Sequence, residues 1–263
     1  MHYWKDKIKD ARELLFSRAF LFAVLGFVLL FAVWQVLAVF MHAIVIASPV
    51  DTFTAVWEMI KEERLQKHVW ITMRRMFSGI FIGSIAGFIL GIWAGVYENI
   101  KNLFEPLRWT LMSISPVVVV VIAMLWFGMG STMVVFIAAV LLAPVVYVNT
   151  TKGMEMVDEN IIEMAETYRL SFFQKLRFVY IPALAGPLSA AMTIVVSAGA
   201  RMVVLAEVLG TTEGIGYALS LARTNLEIPE LFGWVVVSVT IVGSVEYMIF
   251  RPIQDYVLRW QRK

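Results

Sequence analysis

Three charged side chains lie within or beside long apolar runs, and they are the first candidates for a function. They are Arg201, Glu207 and Glu246. A charge in hydrocarbon is costly, so each is treated as functional by default. Arg201 lies roughly 25 Å from the inner end of its run at 1.5 Å per residue, whereas Glu246 lies close to the inner end of the last run. Because the two depths differ, the sequence predicts no Arg201–Glu246 ion pair.

Arg201 is interpreted as a residue of the translocation path, facing a central cavity where its charge helps an anionic or polar solute to pass. The alternative is that it caps carbonyls, pairs with a neighbouring helix or extends towards water. Glu207 follows six residues later, about 240° around a helix, so the two side chains do not share a face. Glu207 could line the same path, or it could hold the outer segment 210–227 in place.

Several other kinds of chemistry are excluded. The chain has no cysteine, which excludes disulfides, thiolate metal sites and cysteine nucleophiles. Its three histidines (His2, His42 and His68) are far apart and have no ligand-spaced partners, so no metal site is predicted. A Gly-x-x-x-x-Gly-Lys-Ser/Thr run is missing, so the chain cannot hold nucleotide phosphates in that way. The net charge of +2 is too small to indicate a nucleic-acid partner.

Composition indicates the solvent in which these residues must be positioned. Hydrophobic residues make up 60% of the chain and charged residues 16%, against about 45–50% and 25% in soluble domains. Six apolar runs could span a bilayer, which needs roughly 20 residues per helix. They cover residues 19–41, 76–96, 111–127, 133–148, 184–206 and 231–250. The prediction is therefore an all-α, multi-pass membrane protein, in which Gly128–Ser131 forms a tight turn between the third and fourth spans.

The first run follows a basic segment and could be a signal peptide, but it is longer than the usual signal core of 7–15 residues. A retained helix is preferred. Most lysines and arginines then fall on the side of the N-terminus, which places both termini in the cytoplasm. A basic group in the first outer loop, which includes Lys67, Arg74 and Arg75, opposes this orientation without reversing it.

Two segments outside the spans are predicted to be helical. Residues 1–18 carry apolar side chains at helical spacing among charges, typical of an amphipathic helix on the inner membrane surface or of a solvated arm. On the outer side, Ser48 can cap a helix in which Pro49 occupies the first turn and Asp51 lies near the positive end. This outer helix is expected to continue to about Gln66.

Glycine recurs at every fourth residue through the second span. Glycines at this spacing form a smooth face that another helix can approach closely. The face is expected to be a plain packing surface, or else a sliding or subunit-contact surface near a transport path. Its members are Gly79, Gly83, Gly87, Gly91 and Gly95.

The polar loop at residues 149–182 is unusually long for a chain with short connections. It begins acidic and becomes basic and aromatic, with an apolar stripe at three- and four-residue steps that predicts two short amphipathic helices. A loop of this length is not needed to join two spans. It therefore indicates docking of a soluble partner, or alternatively a cap that packs only on its own bundle.

Within this loop, Glu163-Met164-Ala165 followed by Ile181-Pro182 resembles the EAA motif of ABC-importer permeases. The sequence departs from that motif at Met164, Ile181 and Arg169, the last of which occupies the usual glycine position. The resemblance implies a coupling helix that docks on an ATP-hydrolysing subunit. The coupling residues it implies are Glu163, Ala165, Glu166, Tyr168, Arg169, Leu170, Ile181 and Pro182.

Further segments extend the resemblance over most of the chain from about Ser48. They are Ser48-Pro49, Thr72 with Arg75 and Gly79, residues 125–128 and 149–153, Glu207, and residues 214–217 with Arg223. Together they are similar to the branch that imports nitrate, sulfonates, taurine, thiamine precursors or riboflavin. The resemblance implies the type I importer (MetI-like) permease fold with six transmembrane helices, in a bacterial or archaeal plasma membrane.

The resemblance also implies a domain division and a set of partners. Residues 19–70 would hold the first span and outer helix, 71–253 a five-helix core and 254–263 a cytoplasmic tail. The partners would be two ATPase subunits, a second permease copy in a homodimer or a paralogue, an extracytoplasmic substrate-binding protein and membrane lipid. ATP and Mg²⁺ would be bound by the ATPase, and this chain would hold no cofactor and catalyse no reaction.

Two other classes are weighed against the permease. An ion-driven secondary transporter usually has paired carboxylates or broken helices at the midplane. Such carboxylates are missing, and the long loop would have no role. An intramembrane enzyme would need a Ser-His, paired-Asp or His-Glu constellation within the spans, and none is visible.

Overall fold

The structure is a computed structural model that describes residues 18–42, 44–250 and 252. The described residues form helices and no strand. The helices are α1 (Arg18–Phe40), α2 (Pro49–Lys61), α3 (Arg64–Val96), α4 (Glu98–Ser113), α5 (Pro116–Phe127), α6 (Ser131–Glu155), α7 (Glu159–Thr167), α8 (Phe172–Lys175), α9 (Ile181–Gly210), α10 (Ile215–Thr224) and α11 (Ile228–Ser244). One π-helical turn, Leu176–Tyr180, joins α8 to α9, and another, Val245–Phe250, continues α11.

The long helices α3 and α6 pack together along their length, and α9 packs against both. The main hydrophobic core lies between these three helices and α5, and includes Met76, Ile137, Leu142, Val195 and Val203. All five are almost fully buried. Since the surrounding lipid is as apolar as these side chains, close packing rather than water exclusion holds the three helices together.

Five stretches are long and apolar enough to cross a membrane. They are α1, α3, α6, the continuous α8–α9 stretch and α11 with its π-helical turn, and they match five of the six predicted spans. The predicted third span, 111–127, is wrong as a single helix. The chain bends by 103° between α4 and α5, and the bent pair is the sixth candidate. The bend lies before Pro116, whose ring disfavours helical backbone at Ser115, a residue at φ −65° and ψ 132°.

The start of the second span was predicted too late. Ser48 caps α2 as expected, with its Oγ accepting from the Asp51 N–H at 3.1 Å, but α2 ends at Lys61. Glu63 takes a left-handed backbone with φ 58°, and α3 begins at once. At 33 residues and 1.5 Å per residue α3 is about 50 Å long. Its first turns therefore extend beyond the hydrocarbon, which explains how the apolar pattern missed them.

The predicted tight turn after the third span is confirmed. Gly128 and Gly130 have φ angles of 69° and 143°, which glycine adopts most easily, and α6 starts at Ser131. The predicted long loop is shorter than expected because α6 continues to Glu155. The remainder contains two short helices, α7 and α8, as the apolar stripe predicted.

A smaller apolar cluster joins α2, α10 and α11 at one end of the bundle. Met59, Ile215, Ala222 and Trp234 form its buried centre. The first span α1 lies outside both cores, with its apolar side chains exposed. The amphipathic helix predicted for residues 1–18 and the tail at residues 254–263 lie outside the described residues, apart from Arg18 at the start of α1.

Candidate functional site

The connection between α6 and α8 carries the predicted coupling residues, and hydrogen bonds cap both ends of α7. Asp158 caps the first turn, where its carboxylate accepts from the Asn160 N–H at 2.9 Å. At the other end, the Leu170 N–H donates to the Ala165 carbonyl at 3.0 Å and the Arg169 N–H to the Glu166 carbonyl at 2.8 Å. These two bonds form a Schellman motif.

The Schellman motif requires a left-handed residue, and Arg169 supplies it with φ 53°. Glycine is the usual residue at such a position because its missing Cβ removes the steric cost. Arg169 thus adopts the backbone that glycine would take at the same place in the EAA motif. The departure in sequence leaves the turn in place and adds strain to it.

The apolar stripe on α7 and α8 faces away from the rest of the chain. Met164, Tyr168 and Phe173 are 55%, 72% and 78% exposed. Ala165 belongs to the same stripe but is buried. Lys175 and Glu166 join the two short helices by an ion pair of 2.9 Å. The connection is therefore an ordered unit that presents an aromatic surface outward.

The remaining predicted coupling residues lie nearby. Glu163 and Glu166 are exposed on α7. Ile181 and Pro182 begin α9, directly after the π-helical turn that joins it to α8. The surface thus continues from α7 to the start of a membrane-spanning helix.

At the opposite end of the bundle, Glu207 is fully buried in a polar cluster. Its carboxylate pairs with Arg75 at 2.7 Å and accepts from the Thr72 hydroxyl at 2.8 and 3.0 Å and from the Gly216 N–H at 3.1 Å. Arg75 also donates to the Glu213 carbonyl at 2.7 Å. Three donor groups therefore satisfy the carboxylate, as a buried charge requires.

The same cluster holds α10 and the loop before it. The Ile215 N–H donates to the Thr72 hydroxyl at 2.9 Å, and the Gly214 N–H donates to Nδ1 of His68 at 3.0 Å. A Cβ on Gly214 or Gly216 would collide with the Glu207 side chain. These contacts match the second role considered for Glu207, in which it holds segment 210–227 in place.

An exposed ion pair closes the cluster on its outer side. Lys67 lies 3.0 Å from the Glu213 carboxylate, and its hydrogen bond lowers the pKa of that carboxyl. Since a depressed acid pKa reports a preference for the charged form, this pair is retained while Glu213 is ionised. It adds a further link between α3 and the loop before α10.

Arg201 lies on another face of α9. It is exposed and makes no hydrogen bond or ion pair with any other described residue. Glu246, which was considered as a partner, accepts from the Ser197 hydroxyl at 2.5 Å. Ser197 lies one turn from Arg201, so the two charges are closer in depth than the sequence indicated.

The glycine face of α3 packs against α6 of the same chain. A Cβ on Gly79, Gly83 or Gly91 would lie 2.5–2.7 Å from atoms of α6, and one on Gly87 would meet the Ala143 carbonyl oxygen. Gly95 is equally close to Met154. The plain packing interpretation therefore accounts for the spacing of these glycines.

Sequence reasoning missed the role of His68 and the pairing of Arg75 with Glu207. Both members of the pair were identified, but Arg75 was assigned to an outer loop. The available signal was that a buried carboxylate needs a cation at its own depth. A second span that begins before residue 76, as α3 does, places Arg75 at the depth of Glu207.

Comparisons with known proteins agree with this architecture. A chain of the MetNI methionine ABC transporter, solved in inward-facing conformations, superposes with a TM-score of 0.62 over 72% of this chain and 94% of that chain, at 17% identity. A crystal structure of an amino acid ABC transporter gives a TM-score of 0.58 over 78% and 97%, at 16% identity. At these identities the likeness is one of fold.

Sequence relatives are similarly distant but cover most of the chain. A Bacillus subtilis protein named as the aliphatic sulfonates transport permease SsuC is 25% identical over 88% of this chain and 84% of its own length. The Escherichia coli taurine transport system permease protein TauC is 21% identical over 74% and 71%. The family of binding-protein-dependent transport system inner membrane components matches residues 80–263. The chain belongs to this family and is a plasma-membrane permease subunit of an ABC importer, not an enzyme.

Proposed function

We propose that this permease imports small sulfonates, such as taurine or alkanesulfonates, and that the α6–α8 connection couples import to ATP hydrolysis. The observation that carries the coupling proposal is the exposed aromatic surface on α7 and α8. Tyr168 and Phe173 remain largely exposed, although the Phe173 ring packs edge-to-face on the neighbouring Phe172. Exposed apolar patches of this kind are typical of protein interaction sites.

The proposed partner at this surface is an ATPase subunit, one for each of two permease copies. ATP and Mg²⁺ are bound by that subunit. Its closure on ATP moves α7, and the direct continuity of α8 with α9 carries the movement into the bundle. The spans then open outward to receive the solute from an extracytoplasmic binding protein, and hydrolysis returns them to the inward-facing state.

The sulfonate assignment rests on the similarity to SsuC and TauC, which are named as permeases for aliphatic sulfonates and taurine. Arg201 supports it as a member of the translocation path, because an exposed cation on a spanning helix, with no ion pair to any described residue, suits the cavity between two permease copies better than lipid. Glu207 is proposed to act on the path indirectly, by fixing α10 at its outer end.

The coupling proposal is tested by co-purification. Tyr168→Ala is expected to release the ATPase subunit from the solubilised complex, because it removes an exposed ring from the proposed contact. Tyr97→Ala is the control, since Tyr97 is 56% exposed just beyond α3 and lies outside the α6–α8 connection. Retention of the ATPase by Tyr168→Ala at wild-type levels would count against the proposal.

The transport proposal is tested in proteoliposomes that contain the permease, the ATPase and the binding protein. Taurine uptake is expected to require ATP and to persist when ion gradients are collapsed. Arg201→Glu is expected to reduce uptake while the complex still assembles. Uptake by the permease alone, driven by an ion gradient, would favour the alternative of a secondary transporter.

A further inference from the structure

A polar cavity of about 290 Å³ opens between the first half of α3 and the start of α6. It is lined by Arg74, Arg75, Ser78, Ser131, Thr132 and Val135. The lining has two guanidinium groups and three hydroxyls but no carboxylate. This lining is separate from the aromatic surface on α7 and α8, and it does not include Arg201.

Arg75 is held in one position within this cavity. It is 4% exposed, and its Nε donates to the Ser131 hydroxyl at 3.0 Å while Nη1 donates to Glu207 and to the Glu213 carbonyl. The second terminal nitrogen, Nη2, takes part in none of these bonds. A guanidinium fixed in this way presents a ready donor, because its planar fork is already ordered.

Ser131 extends this donor set. Its oxygen accepts the bond from Arg75, so its own proton is available to a ligand. Ser131 is also the first residue of α6, and the preceding Gly130 has no side chain to cap the helix. The first N–H groups of a 25-residue helix therefore lie beside the two arginines, where they favour a negative charge.

The charge balance of the cavity leaves one cation uncompensated. Arg75 is neutralised by Glu207, which lies outside the lining. Arg74 is exposed and has no ion pair with any described residue. A singly charged ligand with several acceptor oxygens matches one free cation and a set of neutral donors.

We propose that this cavity binds a tetrahedral oxyanion, and that its ligand is the sulfonate group of the transported solute. The assignment of the ligand rests on the proposed function, whereas the oxyanion chemistry rests on the lining alone. By the positive-inside orientation the cavity lies at the outer end of the bundle. It is then a first binding position for solute released by the binding protein.

The test measures binding of ethanesulfonate to the purified permease–ATPase complex in a non-ionic detergent, by isothermal titration. Ethyl methyl sulfone, which has no charge, is the matched ligand control and is expected not to bind. Arg74→Gln is expected to weaken ethanesulfonate binding about tenfold or more, through loss of a charge-assisted contact. Arg74→Lys keeps the charge without the planar fork. Its affinity for ethanesulfonate is expected to lie between the affinities of the wild type and Arg74→Gln.

Lys61→Gln is the matched protein control, because Lys61 is a cation at the same end of the bundle but lies outside the cavity lining. It is expected to bind as the wild type does. Thr132→Val provides a second test that changes no charge and is expected to weaken binding by a smaller factor. Equal ethanesulfonate affinity in the wild type, Arg74→Gln and Thr132→Val would overturn the proposal.

A lipid phosphate has the same chemistry, and a second arm separates the two sources. The complex is placed in nanodiscs that contain phosphatidylglycerol, and retained lipid is measured by native mass spectrometry. Arg74-dependent retention of that lipid without ethanesulfonate binding would overturn the role in solute binding. Arg74-dependent ethanesulfonate binding in detergent supports it. Taurine uptake that fails in the wild type would refute the proposed function without altering the binding result.

Discussion

Nη1 of Arg75 lies 2.7 Å from Oε1 of Glu207, and the two side chains are 4% and 0% exposed. The residues belong to α3 and α9, and the pair is surrounded by Thr72 and the loop before α10. A buried ion pair of this kind is strongly destabilising when only one partner is removed, because the other charge is left without compensation. The pair therefore fixes the mutual position of three helices.

Replacing one member of this pair is expected to destabilise the permease. Glu207→Gln leaves the buried guanidinium unpaired and is expected to cost about 3–5 kcal/mol. Thermal unfolding of the detergent-solubilised protein, followed by near-ultraviolet circular dichroism, measures the loss. A change in stability below about 1 kcal/mol would contradict the assigned role.

The double variant Arg75→Met with Glu207→Met is the control for this experiment. It removes both charges and is expected to be more stable than Glu207→Gln alone. Arg75→Met and Glu207→Met are also measured singly, and a double variant destabilised by the sum of their two effects would show that the side chains act independently of one another.

Alanine at Gly87 is expected to force α3 away from α6. The new Cβ would meet the Ala143 carbonyl oxygen and lie 3.0 Å from the Tyr147 nitrogen, and backbone atoms cannot rotate away. Overpacking of this type costs about 1–3 kcal/mol. Gly26→Ala is the matched control, because no atom of the described residues lies within 4 Å of its added Cβ. Equal melting temperatures for the two variants would show that the close approach is not required.

Alanine at Gly214 is expected to detach α10. The backbone there has φ 108°, and a Cβ would collide with the Glu207 carboxylate. Limited proteolysis within residues 211–227 should become faster than in the wild type. Gly128→Ala shares the positive φ, at 69°, but has open space around its Cβ. Gly128→Ala therefore introduces backbone strain without a collision. If it accelerated proteolysis within residues 211–227 as much as Gly214→Ala does, a steric role for Glu207 would be excluded.

Glycine at Arg169 is expected to stabilise the turn that ends α7. It removes the cost of a left-handed non-glycine residue, about 1–2 kcal/mol, and part of that gain is offset by greater freedom of the unfolded chain. Slower hydrogen exchange at the Leu170 amide, which closes the Schellman motif, is the measurement.

Two further variants control the Arg169→Gly result. Leu226 has φ 59° at the end of α10, and its turn has the same pair of hydrogen bonds. Leu226→Gly should therefore also slow hydrogen exchange in its own turn. Ile181 has a right-handed helical backbone with φ −57°, so Ile181→Gly should destabilise the start of α9. Faster exchange at Leu170 in Arg169→Gly would contradict the strain argument.

Much of the fold could be predicted because lipid demands continuous apolar runs. The spans at α1, α6, α9 and α11 follow directly from that demand. The α4–α5 bend was missed because Pro116 and the polar residues before it were included in a run selected for hydropathy alone. The start of α3 was missed for a related reason, since its first turns carry charges that lie beyond the hydrocarbon or pair within the bundle.

The coupling connection was predictable from its length and apolar stripe, and Ser48 and the glycine turn were predictable from local backbone preferences. The outer polar cluster was harder to predict. Arg75 and Glu207 are 132 positions apart in the chain, and no local pattern records a contact at that distance. His68 gave no signal, because its partner is a backbone N–H group.

The glycine face of α3 has a consequence for how the sequence can vary. Every single-base change in a glycine codon that alters the amino acid adds a side chain. At Gly79, Gly83, Gly87, Gly91 and Gly95 even the smallest of these would collide with α6. In a library of random point variants, these codons should be among the most depleted after selection for a folded permease, whereas the Gly26 codon should accumulate substitutions freely.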